Sequence, residues 1–410
     1  MTNPLAPRDR PRVRTGLECL LADPAALAGR RYALLTHGAA ITATGEPAHL
    51  ALAVTATPPR LLLGPEHGLY GVEQDMVAAA GGKDPATGLA VASLYGDGET
   101  TLRPNGDLFA GLDLLVIDLQ DVGSRYYTYA ATGVWAGAVA AARGCEVWVL
   151  DRPNPIGGEV VEGNLPQPGF TSFVGAFDHP VRHGLTLGEL TLLEARREGW
   201  DGALRVWTLE GWRRSMGWEE TGLPWIPPSP NMPTPATALL YPGGCLVEAT
   251  ALSEGRGTTR PFHLLGAPHL DGKSLAERLR QRHLPGVLFV PTRFRPQFQK
   301  HGGAVCGGVE IVVTDRRAFA PYRTGVELLA AAHAEDPAAF AWRQAPYEFV
   351  HDRPAIDLLT RDPACREALE GGDGPRLERW MEHWREDQEI FRESRRPALL
   401  YPESTEEAQS

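Results

Sequence analysis

Glu66 stands in the turn Gly64-Pro65-Glu66-His67-Gly68, directly after the apolar run Arg60–Leu63. Proline and glycine on either side stiffen such a turn. A carboxyl held there and partly desolvated can carry a raised pKa and act as a general acid; the competing role is a turn carboxylate that accepts backbone N–H groups. Asp118 and Asp121 form a second pair, in Asp118-Leu119-Gln120-Asp121-Val122-Gly123-Ser124-Arg125. Residues three apart cannot share a strand face, so Asp118 falls at a strand terminus and Asp121 in the loop. Tyr126, Tyr127 and Tyr129 follow Arg125. Aromatics beside an arginine suit stacking on a ring or holding a carboxylate, and they are equally ordinary core residues.

Further along, Asp151-Arg152-Pro153-Asn154-Pro155 is stiffened by two prolines. Asp151 there either binds hydroxyls or orients Arg152 in a loop-shaping ion pair. Arg182-His183 precedes a helix start, and His179 lies four residues before His183. Pro180 and Val181 interrupt a helix that would carry both histidines, and no H-E-x-x-H occurs, so no metal is expected. The densest later loops are Ser229-Pro230-Asn231-Met232-Pro233-Thr234 and Ser253-Glu254-Gly255-Arg256-Gly257-Thr258-Thr259. Glycine on both sides of Arg256 allows close backbone approach to a ligand, or makes a plain turn.

The elements that must position these groups are short apolar runs. Arg31–Thr36, Arg60–Leu63, Leu112–Leu119 and Cys145–Leu150 read as buried parallel strands. Thr132–Arg143, alanine-rich and ending near Gly144, reads as the crossover helix between the last two. Strand–helix–strand order implies a doubly wound α/β sheet. All four strands run into polar or glycine-rich text, so a parallel sheet would gather those ends on one crevice. Thr186–Arg197 reads as an amphipathic helix with Thr186 and Glu189 at capping-box spacing. The proline-rich Ile226–Pro235 suits no regular element and marks a boundary: residues 1–226 and 227–410 are the expected domains. Beyond it, a strand at Gly307–Thr314 and helices at Gly325–His333 and Leu377–Phe391 suggest a smaller α+β unit.

Composition narrows the function. The 410 residues are 43% hydrophobic and 22% charged, an ordinary globular profile. A net charge of −11 argues against nucleic acid as a partner. No apolar stretch approaches the ~18 residues of a membrane span. Five scattered cysteines without a C-x-x-C suit reduced thiols, and the Pro/Arg-rich start, Met1–Arg14, lacks the apolar core of a secretory signal. A cytoplasmic location is the expectation. The basic residues are nearly all arginine; Lys83, Lys273 and Lys300 are the only lysines, which leaves few candidates for lysine chemistry. No G-x-G-x-x-G follows a strand, no G-x-S-x-G occurs, and Gly266 to Gly272-Lys273-Ser274 is one residue too long for a phosphate loop.

Six ordered motifs carry a resemblance. They are Leu63–Gly68, Asp118–Tyr129, Leu150–Gly158, Pro180–Leu190, Pro228–Thr234 and Ser253–Thr259. From about Gly16 to Tyr401 the chain resembles the exo-β-N-acetylmuramidase family, long catalogued as a domain of unknown function. The resemblance implies an exo-acting glycosidase that releases N-acetylmuramic acid (MurNAc) from non-reducing ends of peptidoglycan fragments. It implies a Rossmann-like catalytic N-terminal domain and a smaller C-terminal domain closing a cleft against it, and it places the catalytic glutamate on Glu66. The chain departs from the family pattern in reading Thr36-His37-Gly38-Ala39-Ala40 after its first strand, and in having Tyr70 where many members have an arginine.

Glycoside hydrolysis usually needs two carboxyl groups across the scissile bond. Glu66 would protonate the leaving oxygen, Asp121 is the expected partner and Glu254 the reserve. MurNAc carries a lactyl carboxylate, which calls for a bidentate arginine; Arg125, Arg182 and Arg256 are the candidates. His67, Tyr129, Asp151, His183 and Asn231 complete the expected substrate-binding set. The scheme requires no cofactor and no metal, and its partner is a small molecule. The competing reading is a non-catalytic binder of muropeptides or acidic sugars that keeps the cleft without turnover.

Overall fold

Seven strands build the larger sheet in the order β3-β4-β2-β1-β5-β6-β7. In chain order they are β1 (Tyr32–Thr36), β2 (Leu61–Gly64), β3 (Gly82–Lys83), β4 (Ala90–Ser93), β5 (Leu114–Asp118), β6 (Glu146–Leu150) and β7 (Leu204–Trp207). All pair in parallel except the edge strand β3, which is antiparallel to β4. The computed structural model describes residues 12–403 apart from positions 75, 80 and 97, so the start and the acidic tail of the chain lie largely outside the described residues.

The central strands are hydrophobic throughout because both faces are covered. Ala33, Leu35, Leu115, Ile117, Val147 and Val149 point into the larger core. Their alternates Tyr32, Leu34, Leu114, Val116, Trp148 and Leu150 point into a second core, which the helix Gly16–Ala22 helps to cover. The crossover helix between β5 and β6 spans Tyr129–Ala142, starting three residues before the expected Thr132. The capping box at Thr186 forms as its spacing predicts. Thr186 Oγ accepts from Glu189 N at 3.2 Å and Glu189 Oε2 accepts from Thr186 N at 3.1 Å, opening the helix Leu187–Glu198.

The second half carries an antiparallel sheet, β8 (Leu264–Ala267), β10 (Cys306–Val313) and β9 (Val287–Phe294) in that order, packed with helices such as Gly272–Arg280 and Pro321–Glu335. The proline-rich segment 226–235 runs into a helix, Pro235–Gly244, whose first residue is proline, where a missing N–H costs no hydrogen bond. The larger core is continuous across both sheets, and the chain end returns to the larger one, where Tyr401 donates its hydroxyl to Asp151 Oδ2 at 2.5 Å. Among the described residues no helix is long and apolar enough to cross a membrane.

Candidate active site

The parallel strands do bring their carboxyl ends to one edge, but only two of the four polar segments reach an open cleft there. The turn after β2 supplies Glu66 and His67, and the loop after β5 supplies Tyr126, Tyr127 and Thr128. The 229–232 loop adds Ser229, Asn231 and Met232; Glu248, Arg256, Tyr347 and Glu348 close the cleft from the second half of the chain. It is narrow, about 40 Å³, and lies between two roomier pockets. One, of about 310 Å³, shares His67 with it; the other, of about 390 Å³, shares Glu348.

Glu66 is buried at 5% exposure and is held at both oxygens. Thr128 Oγ donates to Oε2 at 2.6 Å and the Met76 N–H to Oε1 at 3.4 Å. The turn beneath it is tight, with His67 and Gly68 both left-handed at φ 68° and 78°. His67 Nδ1 lies 2.8 Å from the Glu73 carbonyl oxygen, which can only accept, so that nitrogen carries the ring proton. Asn231 donates from Nδ2 to Gln74 Oε1 at 3.2 Å, tying the 229–232 loop to the segment that follows the Glu66 turn.

Opposite these groups, Arg256 sits between Glu248 at 3.0 Å and Glu254 at 3.3 Å, with its guanidinium over the Phe262 ring. Tyr347 donates to Glu248 Oε2 at 2.8 Å. Glu348 accepts from the Tyr95 hydroxyl at 3.1 Å. It occupies a turn closed by two hydrogen bonds between Tyr347 and Val350, with Glu348 at φ 45° and Phe349 at φ 67°. Two consecutive non-glycine residues in left-handed backbone are costly, and such strain gathers at functional sites.

Several residues expected to bind substrate do other work. Arg125 is buried and donates to the carbonyls of Asn164, His179, Leu359 and Thr360 at 2.9–3.0 Å, stapling four main-chain segments rather than reading a carboxylate. Arg182 donates to the Ile156 carbonyl at 2.6 Å, its main chain pairs with Glu162, and it does not line the cleft. His183 accepts from Leu185 N at 3.1 Å, and burial pushes its pKa down to about 3, so it is a neutral core imidazole. Asp151 is fully buried and accepts from Arg152 N, Gly188 N, Thr186 Oγ and Tyr401 Oη, fastening the 187–198 helix to β6. Tyr129 lies behind the cleft wall, donating to the Pro228 carbonyl at 2.7 Å with the Glu66 carbonyl at 3.3 Å, and so bolts the turn to the 228 loop.

Asp121 is not a wall of the cleft either. Its Oδ2 accepts from Gly123 N at 2.7 Å, and burial raises its pKa to about 7 against the pull of that bond. Gly123 is required there: it is left-handed at φ 78°, and a Cβ would meet Asn154 Oδ1 at 2.3 Å. Glu254 stands behind Arg256. Burial alone would raise its pKa, but Lys300 at 2.9 Å and Arg256 more than offset that, so it stays below the usual carboxylate range. The glycines around Arg256 approach the chain itself, Gly255 against the Leu264 carbonyl and Gly257 against Phe298, not a ligand.

The residues that sequence reasoning missed are Glu248, Tyr347 and Glu348. Glu248 lies in a 3-10 turn with no motif around it, and Tyr347-Glu348-Phe349-Val350 lacks the glycine or asparagine that marks a left-handed turn. Among the described residues no three His, Cys, Asp or Glu side chains meet in a metal-ligating group.

A cleft walled by carboxylates, tyrosines and one arginine, set beyond the carboxyl edge of a doubly wound sheet, defines an enzyme that works on a polar small molecule by acid–base chemistry. The chain belongs to the exo-β-N-acetylmuramidase NamZ family: the N-terminal family model matches residues 32–236 and the C-terminal one residues 239–401. It is 37% identical to the peptidoglycan β-N-acetylmuramidase NamZ of Bacillus subtilis (strain 168) over 394 residues, 96% of this chain and 92% of that protein. Crystal structures of two DUF1343 family proteins from Bacteroides fragilis NCTC 9343 share the fold. One is 32% identical with a TM-score of 0.84 and the other 26% identical with a TM-score of 0.75; each match covers 96% of this chain and all of that one.

Proposed function

We propose that this enzyme is an exo-acting glycoside hydrolase that removes MurNAc from the non-reducing ends of peptidoglycan fragments, with Glu66 as its general acid. The family membership carries the reaction, and the cleft-facing, doubly hydrogen-bonded Glu66 carries the role. The Glu66 carboxyl gives its proton to the glycosidic oxygen as the C1–O bond breaks, and the leaving sugar departs as an alcohol. Water supplies the hydroxyl that ends at C1. The proton released as the nucleophile adds there goes to an opposing carboxylate. We assign that role to Glu348, a cleft-lining carboxylate held in a strained turn, and not to Asp121, which is not in the cleft.

Arg256 is the one of the three candidate arginines that lines the cleft, and we assign it the lactyl carboxylate. Seating a hexosamine in so narrow a cleft parts the 229–232 loop from the 347–350 turn. Turnover of cell-wall fragments is the setting this chemistry serves. The test is release of free MurNAc from a MurNAc-GlcNAc disaccharide by wild type and Glu66→Gln. Turnover by wild type, with a loss of about a hundredfold or more in the variant, is expected. Binding of the disaccharide without turnover by wild type would return the non-catalytic reading.

A further inference from the structure

The 390 Å³ pocket beside the catalytic cleft has no part in the scheme so far. Glu348 belongs to both, and the chain passes from one to the other within a single peptide, Phe173 lining the pocket and Val174 the cleft. Its floor is aromatic, with Trp135 and Phe173 stacked at 5.8 Å between centroids and 29° between planes. Arg103 lies over Trp135 at 4.5 Å, is exposed, and among the described residues has no carboxylate partner. Ser172 is more than nine-tenths buried, and among the described residues its hydroxyl has no hydrogen-bond partner. A buried hydroxyl left unpaired costs free energy, which a polar ligand would recover.

We propose that the pocket formed by Arg103, Trp135, Thr171, Ser172, Phe173 and Glu348 binds the leaving N-acetylhexosamine of the substrate. The buried Trp135–Phe173 stack backs the pocket and holds Arg103 in place over it, and the guanidinium, hydroxyl and carboxylate groups on its wall read the hydroxyls and acetamide of a sugar. The wall carries both signs of charge, from Arg103 and Glu99, which suits a neutral sugar. A stem peptide with free carboxylates would call for an excess of positive charge. Placing the leaving sugar here leaves the scissile bond in the adjoining cleft, whose walls include both Glu66 and Glu348.

The inference rests on the hydrolase reading, and the experiment separates the two. Steady-state kinetics are measured on MurNAc-GlcNAc, on methyl β-MurNAc, which lacks a second sugar, and on the disaccharide with a peptide on its lactyl group. Arg103→Ala is expected to lower kcat/KM on the disaccharide about tenfold, with a loss under twofold on the methyl glycoside. Ser172→Ala is expected to raise KM for the disaccharide a fewfold without lowering Tm, because it removes an unpaired hydroxyl rather than a structural bond. Equal losses on disaccharide and methyl glycoside would overturn the assignment. Losses confined to the peptide-bearing substrate would also overturn it and give the pocket to the stem peptide. A folded wild type that hydrolyses none of the three would overturn the hydrolase reading and this inference with it.

Discussion

Thr128 stands at the N-cap of the helix Tyr129–Ala142, yet its hydroxyl caps nothing: it donates to Glu66 Oε2 at 2.6 Å. A threonine there would ordinarily satisfy one of the helix's free N–H groups. The helix instead serves as the rigid mount from which one side chain reaches across to the turn after β2 and fixes a carboxyl. The same helix contributes Tyr129, which holds the backbone of that turn against Pro228. Two consecutive residues thus fix the side chain and the main chain of Glu66.

This predicts a split between activity and stability. Thr128→Val removes the hydrogen bond to Glu66 but no helix cap, so Tm should hold within a degree or two. A net hydrogen bond is worth roughly 0.5–1.5 kcal/mol, so kcat should fall about two- to tenfold with KM little changed. Thr128→Ser should recover most of the rate. A Val variant with full kcat would remove Thr128 from the site.

Arg125 leads to the opposite expectation. Its guanidinium satisfies four buried carbonyls drawn from both halves of the chain. Arg125→Met takes that donor from all four, with Asn164 Nδ2 still reaching the Thr360 carbonyl at 2.9 Å, and should cost on the order of 3 kcal/mol or more of stability. Denaturant unfolding measures that loss, and the remaining folded enzyme should keep a near-wild-type KM. A stable variant with a raised KM for MurNAc substrates would restore Arg125 as a ligand for the lactyl group.

Asp121 ties stability to pH. Burial raises its pKa from 3.8 to about 7, so the folded state keeps a proton that the unfolded chain has already released. The folded state loses stability as pH rises between those two values, and the penalty is complete above about 7. Asp121→Asn cannot ionise, and its side-chain oxygen can still accept from Gly123 N. The variant should therefore match wild type near pH 4 and exceed it in Tm by a few degrees at pH 8. Thermal unfolding at the two pH values decides it, and an equal offset at both would show that ionisation is not the cause.

What could be read from the chain beforehand follows from range. The four buried strands read from the sequence, the crossover helix and the capping box at Thr186 and Glu189 are local patterns, and they form as the residues predict, the helix starting three residues early. The four polar strand ends are also local, and they do share one edge. Which of them stays open is not a local property. An arginine spent on main-chain carbonyls, such as Arg125, has the same sequence text as one awaiting a carboxylate. The Asp151 loop is closed by Tyr401 and Thr186, partners 250 and 35 residues away. Glu248 and Glu348 come from stretches with no motif, and only the fold of the second half carries them to Glu66.

Glu348 gives the most direct test of the second carboxylate. Its φ of 45°, beside Phe349 at 67°, costs on the order of 1 kcal/mol or more that only an outside constraint or a function would maintain. Glycine adopts that backbone without strain, and the relief offsets the side-chain contacts that Glu348→Gly gives up, the bond from Tyr95 among them. Glu348→Gly should therefore keep its Tm or gain slightly while losing about a hundredfold or more in kcat, the pairing expected when strain serves activity. Glu348→Gln, which keeps the shape and the backbone cost, should lose as much rate without the gain in Tm. Azide or formate added to the glycine variant should restore part of the rate by occupying the vacated carboxylate position. If both variants turn over MurNAc-GlcNAc at near-wild-type rates, the opposing role passes to Glu248, and the strain at Glu348 belongs to the packing of its turn against Tyr95.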